Sequence, residues 1–202
     1  MNKRQIGTCT EDEMIWEYLR AEYTSERFSE KLKRVMEEMC LEKQIILVPD
    51  FKKKEEAAQR RALLGEYRGY GQNRDMFEHF PSYIEWSVCS FQQEDLKNIR
   101  YIDYSYWNEL SKGTHLPIEA VEAVRNNIRI FDVPNDGFLL AEEYIRKGGA
   151  FPKMIFLTAD YQHFVIVEGH HRMTAYALAP EYFEQIEAIV GKCKEEELKG
   201  WM

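Results

Sequence analysis

One short stretch gathers the side chains that do chemistry: Glu168-Gly169-His170-His171-Arg172-Met173-Thr174. It follows four apolar residues, Phe164 to Val167, patterned like a buried strand, and from His170 to Leu178 the pattern turns helical. Only Glu168 and Gly169 are left for the turn. A strand, a glycine turn and a helix start make a general anion site, because the first amides of a helix have no intrahelical partner and glycine lets the backbone approach a ligand. Arg172 would add a bidentate charged donor to a phosphate, with His170 or His171 as a second donor. These bases stand at the positive end of the helix dipole, where each is disfavoured by roughly 0.3–1 kcal/mol unless an anion is present. The competing reading is local: Arg172 pairs with Glu168 or a distant carboxylate, one histidine caps a buried carbonyl, and the other faces water.

Other candidate motifs carry less information. His170 and His171 diverge by ~100° on a helix and do not form the i, i+4 pair of a zinc protease, while His79, His115 and His163 are isolated. The loop Tyr104 to Thr114 holds Glu109, a carboxylate available as a base for an acceptor hydroxyl, and Ser111-Lys112-Gly113-Thr114, a second phosphate-contacting turn without the Walker pattern. In Tyr67-Arg68-Gly69-Tyr70-Gly71, two readings stand: a helix stop with packed tyrosines, or an arginine between aromatics that meets a base or a phosphate.

The elements that position these residues follow from periodicity. Thr10 and Glu13 form a capping box before a helix carrying Met14, Ile15, Trp16, Leu19 and Tyr23, and a second helix spans about 25–39. A charged helix over about 53–67 ends at the glycines of residues 68–71. The alternation over 98–103 predicts a strand, Pro117 opens a helix to about Asn126, and Asp136 caps a helix that stops at Gly148-Gly149. Strands are expected at Met154 to Thr158, Tyr161 to Val167 and Ile186 to Val190. Residues 1–96 thus read as a mainly helical N-terminal region and residues 97–202 as an α/β unit, with a weakly marked boundary and the alternative that both share one core.

The chain of 202 residues, 45% hydrophobic and 31% charged, is long enough to bury a full core. Its 27 Lys and Arg against 35 Asp and Glu leave a formal charge of −8, so it is no general trap for nucleic acid, although a local basic pocket remains compatible. The four cysteines are widely spaced, and the N-terminus carries no apolar signal segment, which together predict a reduced cytoplasmic protein. No apolar run reaches the ~20 residues needed to span a bilayer.

The run Glu168 to Ala175 resembles the signature box of the ParB/sulfiredoxin-like superfamily, in which a strand ends in a Gly-x-x-Arg turn and an alanine-containing helix follows. The elements before it agree in order: a helix over Leu139 to Lys147, the glycines Gly148-Gly149, a strand opened by Pro152, and Tyr161 to Val167. The resemblance covers about residues 97–192, and it implies an α/β (α+β) fold with a mixed sheet. Sulfiredoxins place a catalytic cysteine after the glycine; His170 stands there, so sulfinic acid reduction is not expected. ParB partition proteins bind a cytidine nucleotide through an arginine-rich box and add a DNA-binding domain after it, for which no room is expected here. The wording is closest to the free serine kinase branch, acidic-Gly-His-x-Arg, which binds an adenosine nucleotide with magnesium; Glu168 replaces its usual aspartate. The resemblance implies amides of Gly169 to Arg172 on phosphate oxygens, His170 and Arg172 stabilising a transferring phosphoryl group, and Glu168 on Mg2+ or orienting a donor. His171, Thr174 and Lys112 would add ligand contacts and Glu109 would be the base. The expected function is magnesium-dependent phosphoryl transfer or hydrolysis of a nucleotide such as ATP, ADP or CTP. The alternatives are a non-catalytic nucleotide-sensing or DNA-associated module, or a nuclease.

Overall fold

The computed structural model describes residues 4–201. In chain order the elements are β1 (Gln5–Thr8), α1 (Glu11–Tyr23), α2 (Ser29–Glu38), α3 (Gln44–Leu47), α4 (Lys54–Arg68), β2 (Glu85–Phe91), β3 (Ile99–Arg100), α5 (Ser105–Leu110), α6 (Pro117–Arg125), α7 (Asp136–Arg146), β4 (Met154–Thr158), β5 (Phe164–Glu168), α8 (His170–Leu178), β6 (Ile186–Lys192) and α9 (Glu195–Trp201). The strands form one mixed sheet in the order β1-β2-β6-β4-β5-β3. β4 runs parallel to β6 and antiparallel to β5, β3 runs parallel to β5, and β2 is antiparallel to both β1 and β6. The chain is therefore of the α/β class.

The side chains of the central strands alternate between two cores. Phe156, Phe164, Ile166, Ala188 and Val190 point to the face covered by α6, α7 and α8, whereas Ile155, Leu157, Val165, Val167 and Ile189 point to the face covered by α1 to α4. Strands buried on both faces read as continuous apolar runs, which is why MIFLT and FVIV lack a polar alternation. The N-terminal helices thus form one layer of a helix–sheet–helix sandwich. The capping box of Thr10 and Glu13 is present, and Arg60, fully buried, ties α4 to α1 through two bonds to Asp12 at 2.7 and 2.5 Å.

Several sequence expectations need adjustment. Residues 1–96 are mainly helical, yet β1 and β2 place them in the same sheet as the later strands, with β2 paired to β6 along seven residues. The strand expected over 98–103 is limited to Ile99 and Arg100, because Tyr101 leaves the sheet to donate its N–H to His115 O at 2.8 Å. Residues 161–163 form the hairpin turn rather than strand: Asp160 Oδ1 accepts from the amides of Gln162 and His163. Asn135, not Asp136, is the N-cap of α7. Gly69 ends α4 in the left-handed region at φ 88°, as the helix-stop reading of residues 67–71 requires. All four cysteines are free thiols, and no helix among the described residues is long and apolar enough to cross a membrane.

Gly191 lies in β6 at the join between early and late strands, opposite Trp86 of β2 and Leu157 of β4. A Cβ there would stand 2.5 Å from Ile84 Cγ2, 2.6 Å from Trp86 and 2.9 Å from Leu157. Gly191→Ala should therefore destabilise the protein by about 1–3 kcal/mol through overpacking, read as a lower midpoint in urea unfolding with an unchanged slope.

Candidate functional site

β5 ends at Glu168, and Gly169 turns the chain in the left-handed region at φ 103°, a conformation that favours glycine. A Cβ at this position would also lie 2.6 Å from Met154 Cγ, so the turn packs against the start of β4. α8 then begins at His170 with no side-chain cap, and its first intrahelical bond runs from Met173 N to Gly169 O at 2.8 Å. Its first three amides lack an intrahelical partner.

The box largely closes its own charge balance. Arg172, 8% exposed, pairs through Nη2 with Glu168, while Nη1 donates to Pro152 O and, at 3.3 Å, to Lys153 O. Burial pulls its pKa down to about 10, which leaves it protonated at neutral pH. The local reading of Arg172 is therefore the arrangement seen. Glu168, one residue ahead of the turn, supplies the acid that the first turn of α8 lacks.

The two histidines are handled differently. His170 is buried, and its ring lies parallel to Trp107 of α5 at 5.2 Å and 15°, with Tyr101 at 6.1 Å and 17°. Burial lowers its pKa to about 3, so it is a neutral imidazole, and its buried Nε2 has no hydrogen-bond partner. His171 stacks on Phe138 at 4.5 Å. Although the residue is exposed, packing around the ring, followed by the charge of Arg27, lowers its pKa to about 4, a smaller shift than that of His170.

Three further residues expected at the site are placed otherwise. Thr174 is fully buried, its hydroxyl spent on His170 O at 2.9 Å and on the Tyr101 hydroxyl at 2.6 Å, so it faces the protein and not an open site. Lys112 is held by Glu122 of α6, an acid ten residues on that competes for its ammonium. Glu109 is exposed, with no ion pair or hydrogen bond tying it to the box. Arg68 does stack on aromatics, 4.5 Å from the Tyr67 ring centroid, but its charge is taken by Glu22 at 2.6 and 2.7 Å.

The sequence reading missed the partner of α8. The start of α7 abuts the start of α8: Gly137, the second residue of α7, comes so close that a Cβ there would lie 2.9 Å from His171 Nε2. Neither helix start has a side-chain cap, and the His171 ring stands between the two starts, whose first amides lack intrahelical partners; Asp136 is the acid in the first turn of α7. Asn135, 1% exposed, donates through Nδ2 to Ile128 O at 2.9 Å and leaves its buried Oδ1 without a partner. The signal was present as Asn135-Asp136-Gly137 before a helical pattern, but sequence spacing does not say that this start meets His171. Among the described residues no three His, Cys, Asp or Glu side chains gather as a metal cage. Magnesium commonly uses one or two carboxylates with the ligand's own phosphates, and Glu168, the carboxylate of the box, is paired with Arg172.

The neutral state of His170 carries a pH signature. Its folded pKa lies below the ~6.5 of an unfolded chain, so its contribution to stability is complete above pH ~6.5 and is lost as the pH falls toward 3. Between pH 6.5 and 4.5 the unfolding free energy of the wild type should fall more steeply than that of His170→Gln, by up to about 1.4 kcal/mol per pH unit. Parallel curves in urea titrations would mean that His170 is charged in the fold.

The chain matches no protein-family model, and neither a curated protein nor a solved structure is similar to it at a significant level.

Proposed function

We propose that the chain binds a nucleotide or another phosphorylated ligand where the starts of α7 and α8 meet, and that the chemistry is magnesium-dependent phosphoryl transfer or nucleotide hydrolysis. The observation that carries this reading is the Gly137–His171 contact, which joins two uncapped helix starts; the unpartnered Nε2 of His170 belongs to the same first turn of α8. Phosphate oxygens accept from such amides, and a neutral imidazole adds a donor or acceptor without a cost in charge. The Gly-x-x-Arg box and its order of elements support the same reading through their resemblance to the ParB/sulfiredoxin-like superfamily, to which we assign the fold on this basis.

Residue roles differ from the initial expectation. Backbone amides of His170 to Arg172 and of Asp136 and Gly137 hold the anion, His170 orients it, and Arg172 fixes the turn and contributes its field. A non-catalytic nucleotide-sensing role is the second reading, favoured by the exposed position of Glu109 and the commitment of Glu168 to Arg172. It requires the anion site and no base.

A thermal-shift screen of nucleoside di- and triphosphates, each with and without Mg2+, tests the site. A ligand at 100 times its dissociation constant adds ~2.7 kcal/mol of stability. Gly137→Val, whose side chain would push the His171 ring away from the start of α7, should abolish that gain while leaving the Glu168–Arg172 pair untouched. No stabilisation of the wild type by any nucleotide would refute the reading. Product analysis with Glu109→Gln then separates the two roles: a phosphoryl-transfer enzyme using this base loses turnover and keeps binding.

A further inference from the structure

A part-buried hydrogen-bonded chain connects helix α1 to the guanidinium of the box. Glu17 is 2% exposed, and its Oε1 accepts both from Arg20 Nη2 at 2.6 Å and from the backbone N–H of Lys153. That N–H belongs to the same peptide unit as Pro152 O, which accepts from Arg172 Nη1. One peptide thus holds a carboxylate at its donor end and a guanidinium at its acceptor end, and each charge polarises it in favour of the other. Arg172 also reaches Lys153 O and ends on Glu168. The route runs from the N-terminal helical layer, through the approach to β4, to the turn before α8.

We propose that Glu17 is a positioning residue of the anion site: it fixes the Pro152–Lys153 peptide and through it Arg172, so helix α1 sets the affinity of the box for its ligand. The ligand arm of this inference rests on the function proposed above; the positioning of Arg172 does not. A guanidinium held by fixed carbonyls keeps the turn and its amides in place before an anion arrives, whereas a loosened one leaves that turn to be ordered at the moment of binding. Removing Glu17 takes the acceptor from the part-buried Lys153 N–H, and the peptide is then free to turn toward another acceptor. A pure charge effect has the opposite sign. If Glu17 acted only by its field, removing its negative charge would tighten anion binding.

The experiment compares the full chain with Glu17→Gln and Glu17→Ala. Inorganic pyrophosphate binding is measured by calorimetry, and the Arg172 side chain of the ligand-free protein is followed by 15N spectroscopy. Glutamine keeps the acceptor and loses the charge; alanine loses both. Affinity should fall roughly tenfold in Glu17→Ala, the scale on which groups behind a ligand-binding shell act, and should stay within about threefold of wild type in Glu17→Gln. The hindered rotation of the Arg172 guanidinium should persist in the glutamine variant and be lost in the alanine variant. Unchanged affinity and unchanged Arg172 signals in Glu17→Ala, or tighter binding in both variants, would overturn the proposal. If the wild type binds no pyrophosphate, the anion reading fails and the Arg172 signals alone decide the positioning role. Glu17→Leu, which retains side-chain volume, takes the place of the alanine variant if that one does not fold.

Discussion

The constraint on which the rest depends is that β4, β5 and the centre of β6 have no face toward water. Ile155, Phe156, Leu157, Phe164 and Ile166 are all fully buried, although neighbouring residues on a strand point in opposite directions. Each full burial of a side chain of this size contributes about 1.5–3 kcal/mol, but only if something apolar covers it. The later helices α6 to α8 cover one face. Without α1 to α4 the other face would be an exposed apolar sheet, so the N-terminal region is a required layer of the core and not an extension of it.

That same burial dictates the electrostatics of the turn before α8. β5 delivers Glu168 and the first turn of α8 delivers Arg172 to an interior position, where the pair's side chains are 15% and 10% exposed. A buried charge without a partner costs about 3–5 kcal/mol when its partner is removed, so each must be matched. Arg172 meets this demand with one carboxylate and two carbonyls, and His170 meets it by giving up its proton. The bases at the positive end of the helix therefore add little net charge there. What remains is backbone: the first amides of α7 and α8 have no intrahelical partner, and a pKa shift cannot neutralise them.

This division explains how much was legible in the sequence. α8 and β4 were read with their observed ends, because an apolar run bounded by glycine or proline has few alternatives. The Glu168–Arg172 pair was readable as a four-residue separation across a turn. β2 was missed: EWSVCSF lies behind a stretch of irregular aromatic residues, and its buried positions are Ser87, Cys89 and Phe91, two of them small. β1 is four residues long and gains its place only by pairing with β2. The approach of Gly137 to His171, and that of Glu17 to Lys153 across 136 residues, are products of tertiary packing that no local pattern encodes.

The acidic balance of the chain has a corresponding internal meaning. Net charge suggested a surface unsuited to nucleic acid, yet several of the acids concerned are not on the surface. α1 alone presents Asp12 to Arg60, Glu17 to Arg20 and the Lys153 amide, and Glu22 to Arg68 and the Tyr67 hydroxyl. Glu17 and Glu22 are buried to 2% and 4% exposure on a helix whose Met14, Ile15, Tyr18 and Leu19 also pack in the core. A helix that buries apolar residues and carboxylates together fixes its register against its neighbours, because a rotation would strand those charges in the interior without partners. Such a helix transmits position well. Its carboxylates meet α4 at both ends and the approach to β4 from the middle, so the layer that completes the core also reaches the candidate site.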